Sequence, residues 1–282
     1  MAPEGGQGFA RQSFQRLLTE ALRDLAATGY VSRGQIEEWL SRLRAAAERE
    51  LGAEARIDAA MRAVMESAFR RLIDQGKIAE YVPGVSRYTV AMIKPQLRAE
   101  LDRRILAAAD LIKIHRREAI EKTLQRFAGW STSIPPSGEG VIDKREVRAA
   151  VTKSLKQYDF ERRRVAIDQG AKLIANVADI VARDGGAIAA EWHSHWRQPG
   201  YNYRPDHKER DGKIYAIRDS WAHREGLITK GAGFTDEMTA PAQEPFCRCF
   251  MRYITSPRRL PEDMLTRKGR EWIGRGADRS VA

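Results

Sequence analysis

The chemistry-bearing residues of this chain crowd into one stretch. Four of its five histidines (His193, His195, His207, His223) and both of its cysteines (Cys247, Cys249) fall between residues 193 and 249. Imidazole and thiolate are the donors that zinc takes in a tetrahedral array. The stretch therefore carries a candidate zinc site, with His207, Cys247 and Cys249 as ligands and His193 or His195 as the fourth. In an extended segment those last two share a face, so either can serve. A Cys-x-Cys pair is less diagnostic than two Cys-x-x-Cys knuckles, and Arg248 between the thiols would favour thiolates without any metal. The alternative is that these histidines, and the neighbouring Trp192 and Trp196, are packed or hydrogen-bonded structural residues. For His223, isolated after Trp221, that alternative is preferred.

Acid/base catalysis is the competing chemistry. His207, Arg204, Lys213 and Tyr215 make the kind of set a metal-independent ribonuclease uses for proton transfer and phosphate stabilisation. Spacing alone does not assemble them. The chain contains no GxSxG elbow, no HExxH helix and no GxxxxGK[ST] loop, the signatures of common hydrolases and nucleotide binders. The reading is accordingly non-enzymatic, with no catalytic residue assigned. A nuclease-like activity through the His207 region is the alternative.

The elements that must position these residues follow from periodicity. The fold class expected is a mainly α N-terminal region followed by a small α+β C-terminal module. Phe14, Leu17, Leu18, Leu22 and Leu25 recur at helical spacing over 11–28, with Gly29 placed to end the helix. Ser32 and Gln35 have capping-box spacing ahead of Ile36, Leu40, Leu43 and Leu51, with Gly52 as the stop. Ile57, Met61, Val64, Ala68 and Leu72 continue the pattern to Gly76. Residues 77–82 and 87–93, around Pro83-Gly84, suit a short hairpin, and three helices before a hairpin would also suit a DNA-binding regulator. Pro95 opens a helix through Leu97, Leu101, Ile105, Ala108, Ile112 and Ile120 to about Phe127.

The domain map is then a helical region over 1–129 with a hairpin near 77–93, and a breaker-rich linker or long loop over 130–142. A helical lead-in follows over 143–190, read as two helices, 143–155 and 160–183. The α+β module occupies 191–255. Residues 256–282, rich in arginine and poor in apolar residues, read as a surface or interface tail.

Composition narrows the class. Of 282 residues, 43% are hydrophobic and 31% charged, with a formal net charge of +11. That suits a soluble globular chain. No apolar run is long enough to span a membrane, and MAPEGGQGFA lacks the features of a secretory leader, so no membrane partner is expected. Two cysteines cannot make a secreted disulfide framework. The positive charge sits in short clusters, such as Arg162-Arg163-Arg164 and Arg258-Arg259, rather than in an arm. A diffuse field of this kind favours salt-sensitive, sequence-independent contact with phosphates, and it singles out no DNA-binding residue.

The order of residues in the module resembles the phage head morphogenesis family named for the F protein of phage Mu, whose members are minor head proteins of tailed phages. The family pattern is a Trp, an acidic and arginine-rich stretch ending in R-x-x-H, a turn with Gly, then Pro and Cys-x-Cys. The matching positions are Trp192 or Trp196, Arg204 and His207, Gly212, Pro241 or Pro245, and Cys247 with Cys249. Upstream, Arg162-Arg163-Arg164, Asp168-Gln169 and Lys172-Leu173 look like the family's helical lead-in, so the resemblance covers roughly 160–255. Where the family often places an Asp and an Arg before the His, this chain has Gly200 and Asn202, and roles of those residues do not transfer. The resemblance implies a virion component of the head, assembled in the host cytoplasm. Its expected partners are the portal and other head proteins, with packaged double-stranded DNA contacted non-specifically. His207 and the Cys-x-Cys would brace the module, with or without zinc.

Overall fold

The structure is a computed structural model and describes residues 13–28, 32–52, 54–133 and 143–277. It is 68% helix, with nine helices among the described residues and a three-stranded antiparallel sheet near the C-terminal end. The expected class, mainly α followed by a small α+β module, is what the chain adopts.

The helices are α1 (Phe14–Thr28), α2 (Arg33–Leu51), α3 (Ala55–Ile73), α4 (Arg87–Met92), α5 (Lys94–Thr132), α6 (Lys144–Asp184), α7 (Pro205–Glu209), α8 (Trp221–Arg224) and α9 (Arg267–Ala277). The strands are β1 (Ala189–His193), β2 (Ile214–Ala216) and β3 (Phe250–Ile254), in the order β2-β1-β3. The chain divides into two compact units. The first comprises Met1–Ala60 and Ala108–Val165, the second Met61–Ala107 and Ala166–Ala282.

In the first unit the apolar stripes close one core. All five predicted residues of α1 are buried, together with Ile36, Trp39 and Leu43 of α2, Ile120 and Phe127 of α5, and Val151 and Leu155 of α6. Ser32 caps α2 as its spacing requires, accepting from the Gln35 N–H at 3.2 Å. The Gln35 side chain does not complete a capping box: its amide donates to Asp24 at 3.2 Å. The expected stop at Gly29 lies outside the described residues. Gly52 is the C-cap of α2.

The second unit departs most from the sequence-based map. Residues 77–93 form no hairpin: Lys77–Glu80 is a 3-10 turn and α4 follows. Ser86 explains the difference, since its hydroxyl accepts from the Thr89 N–H at 3.0 Å and starts a helix where alternation alone suggests a strand. The buried face of α3 is Met61, Met65, Phe69 and Leu72, leaving Val64 exposed. The two expected helices of the lead-in are one, because neither proline nor glycine separates Leu155 from Phe160. Residues 130–132 of the expected linker extend α5, and 134–142 lie outside the described residues.

Nor does a boundary fall near residue 190. Glu100 of α5 accepts from Asn176 of α6 at 2.9 Å, Tyr253 of β3 donates to Asp179 of α6 at 3.0 Å, and the Tyr253 N–H donates to the Tyr81 carbonyl at 2.7 Å. These bonds join the sheet to helical segments 61–107 and 166–184 within one unit. The supposed surface tail is also part of it. Leu260, Met264 and Leu265 are buried with Ile188, Ala189, Ala216, Leu227 and Phe234. At Gly269 of α9 a Cβ would stand 2.1 Å from the Leu227 carbonyl oxygen. The segment's apolar residues are few, but Pro257, Leu260, Met264 and Leu265 are all buried, a pattern its arginine content hides.

Candidate metal centre

Three short elements deliver the site. β1 is the central strand, and its Trp192 is completely buried. The chain leaves β1 through Ser194, whose N–H donates to Asp211 at 2.8 Å, while Trp196 Nε1 donates to the other oxygen of the same carboxylate at 2.8 Å. Burial pushes the Asp211 acid upward, yet these two donors outweigh it and hold the acid below its ordinary value. Gly212 closes this corner with φ of 75°, in the left-handed region that glycine tolerates, and its N–H donates to the Trp192 carbonyl at 2.8 Å.

The second element is α7, a single turn and a half begun by Pro205. Arg204, just before it, reaches the loop carrying the cysteines: it pairs with Glu244 and donates to the Pro245 carbonyl at 3.0 Å. His207 points inward at 2% exposure and packs against the Trp192 ring at a centroid distance of 5.2 Å. The third element is the loop 241–249 leading into β3. Asp168 of α6 accepts from the Phe246 N–H at 2.6 Å and pairs with Lys172 at 2.9 Å. Tyr201 receives the Arg248 N–H at 3.2 Å and donates to the Phe246 carbonyl at 3.4 Å.

These elements bring His207, Cys247 and Cys249 together, all buried, with their donor atoms within 4.8 Å of one another. His207 Nδ1 is 3.6 Å from the Cys247 sulfur and 3.4 Å from the Cys249 sulfur. Bond lengths of about 2.3 Å to sulfur and 2.0 Å to nitrogen at tetrahedral angles put such donors roughly 3.6 Å apart, so the three fit a small tetrahedral cation. His207 Nε2 is buried without a hydrogen-bond partner, 3.7 Å from Glu244 and 3.8 Å from Asp206. A ligating histidine ordinarily turns its second nitrogen toward a carboxylate in this way.

The thiols are electrostatically unequal. Cys247 is shifted toward the thiolate by a hydrogen bond from Cys249, further helped by backbone N–H groups of Ala242 and Cys249 and by the charge of His207. Cys249 is shifted the other way, because its proton serves Cys247 and burial disfavours a second anion. Without a cation the pair thus shares one proton.

His193 and His195 do not join the group. The His193 ring stacks on Phe250 at 4.9 Å and 10°, and the His195 ring is tilted over the same ring at 6.0 Å. His195 instead offers its backbone N–H to the Cys249 sulfur. His223 packs edge-on against Phe234 at 5.1 Å, the structural role expected of it. Among the set weighed for catalysis, Arg204 is engaged with Glu244 and Pro245, and Tyr215 is buried in β2.

Glu244, Asp211, Tyr201 and Ser194 hold the site without having been singled out from the sequence. Asp168 stood only within the helical lead-in. Its signal was legible as an acid with a lysine four residues on, set between Val165 and Leu173 of the buried stripe. No protein-family model, no curated protein and no solved structure matches this chain.

Proposed function

We propose that this chain is a structural component of the head of a tailed phage, acting in head morphogenesis beside the portal, with its C-terminal unit braced by zinc at His207, Cys247 and Cys249. One observation carries the reading. The residues of the family-like pattern, scattered over 58 positions from Trp192 to Cys249, converge around one buried cluster of Trp192, His207, Cys247 and Cys249. Trp192 packs on His207, His207 meets both cysteines, Gly212 bonds Trp192, and Arg204 clamps Pro245. A pattern whose members hold one another is what a structural module preserves.

Zinc suits the donor set, being a closed-shell ion that takes two thiolates and an imidazole tetrahedrally. Its contribution here is structural: replacing the shared thiol proton, it cross-links α7 to the loop before β3. A nuclease would need a histidine that a polymer can reach, and His207 is 2% exposed with Nδ1 between two sulfurs. The regulator reading rested on a hairpin at 77–93 that does not form. The net charge of +11 favours sequence-independent contact with packaged DNA, while the partners are portal and other head subunits.

The test is to purify particles made from the genome encoding this chain and count it per virion by quantitative mass spectrometry, with a lysate control. A handful to a few tens of copies is the expected result. Absence from particles overturns the reading.

A further inference from the structure

All the histidines and cysteines of the chain lie within the described residues, and only three of them gather at the centre. A tetrahedral ion needs a fourth donor. His193 and His195 lie outside the group, their rings packed against Phe250. Glu244 and Asp206 stand on the Nε2 side of His207, away from the sulfurs that Nδ1 faces. Beside the Cys249 sulfur lies the Ser194 hydroxyl, buried and with no hydrogen-bond partner other than that sulfur.

Cys249 also lines a groove of about 900 Å³ within the second unit. Its walls are largely apolar and include Val64 and Ile167, both exposed and left out of the helix cores. Its charged lining is one-sided. Arg71, Arg248 and Arg252 have no carboxylate partner among the described residues, and the single acid, Glu80, is paired with Lys77 at 2.7 Å. Two thiolates and an imidazole around a divalent ion leave the centre neutral, so nothing at the centre itself repels an anion that the arginines attract.

We infer that the centre is incomplete within the chain, and that its fourth donor is an exogenous small anion entering through this groove past Cys249 and held by the Ser194 hydroxyl and Arg248. The inference rests on the metal reading above and adds exchangeability to it. A centre of this kind acts as a ligand-responsive brace rather than a permanently closed one.

The test uses the full chain loaded with cobalt(II), whose visible d–d bands and thiolate charge-transfer bands report coordination, titrated with sodium azide. The expected result is four-coordinate cobalt spectra whose d–d bands shift saturably with azide. Ser194→Asp, which places a carboxylate at the open position, should bind cobalt and lose the azide response. Arg248→Glu should weaken azide at least tenfold while leaving thiolate charge transfer intact. Wild-type cobalt protein whose bands azide does not move would overturn the inference, because a side chain such as His195 then fills the position; the metal reading would stand. Failure to take up cobalt at all would overturn both.

Discussion

Asp168 is the test of how the cysteine loop is held. Its carboxylate carries two loads, the Phe246 N–H at 2.6 Å and the Lys172 ammonium at 2.9 Å, with side-chain exposures of 8% for Asp168 and 15% for Lys172. Asp168→Asn keeps the shape and an acceptor but removes the charge. Turning a charge-assisted bond into a neutral one costs about 1 kcal/mol, and leaving a largely buried ammonium unpaired adds about 1–2 kcal/mol, well below the deep-interior limit because Lys172 retains some solvent. The expected loss is about 2–3 kcal/mol, a fall in Tm of roughly 5–10 °C for a chain of this size. Because Phe246 precedes Cys247, zinc affinity should fall as well, by about 10- to 100-fold, as for other residues that orient ligands. Thermal unfolding of metal-free and zinc-loaded protein, with chelator competition for affinity, measures both. Adding Lys172→Met should recover the ammonium part, about half of the stability loss, without restoring affinity. If Asp168→Asn melts with wild type and binds zinc equally, the loop is not held from α6.

Three further outcomes follow from other contacts. Cys247→Ser or His207→Ala should abolish zinc binding and destabilise the second unit; in wild type, affinity should rise with pH, because Cys249 keeps a proton the ion must displace, and isothermal titration in buffers of different ionisation enthalpy reads that proton. Glu100 is pushed up by burial but pulled further down by hydrogen bonds from Arg103, Asn176 and Arg104, so its folded value lies below the ordinary 4.5. Its stabilisation is therefore complete above that value and lost as pH falls toward the lower folded one. Glu100→Gln should flatten this acid limb in pH-dependent melts, and Glu100→Ala should cost about 3 kcal/mol at neutral pH by stranding Arg104. Gly269→Ala, meeting the Leu227 carbonyl at 2.1 Å, should destabilise by about 1–3 kcal/mol, whereas Gly274→Ala in the same helix meets nothing within 4 Å and should stabilise by about 0.8 kcal/mol; equal effects in calorimetry would refute the close approach.

What the sequence discloses divides by the range of the interaction. The stripe of α5 from Leu97 to Ile120 is wholly buried as its spacing predicts, because helical periodicity is a property of neighbours. His207 and the two cysteines were legible because their residue types are rare and their chemistry narrow. The fourth donor was not, since choosing between His193 and His195 depends on Phe250, 57 residues past the first of them, whose ring takes both. Residues 77–93 misled because one side-chain cap at Ser86 outweighs a weak preference for extended backbone.

The loop before β3 shows why such information is invisible in composition. Ala242 and Phe246 both have φ of 60°, a left-handed conformation that costs each of them about 1–2 kcal/mol. Glycine would relieve that cost, and the chain has none between Gly233 and Gly269. What offsets it lies far away in sequence: Asp168 on the Phe246 N–H, Tyr201 on the Phe246 carbonyl, Arg204 on the Pro245 carbonyl. Each is a hydrogen bond to main chain, indifferent to which residue it holds. The geometry that turns Cys247 toward His207 is thus imposed from α6 and from the segment before α7 upon a loop that does not favour it. The loop's conformation should therefore depend on those clamps even when zinc is present, and the clamps should matter most when it is absent.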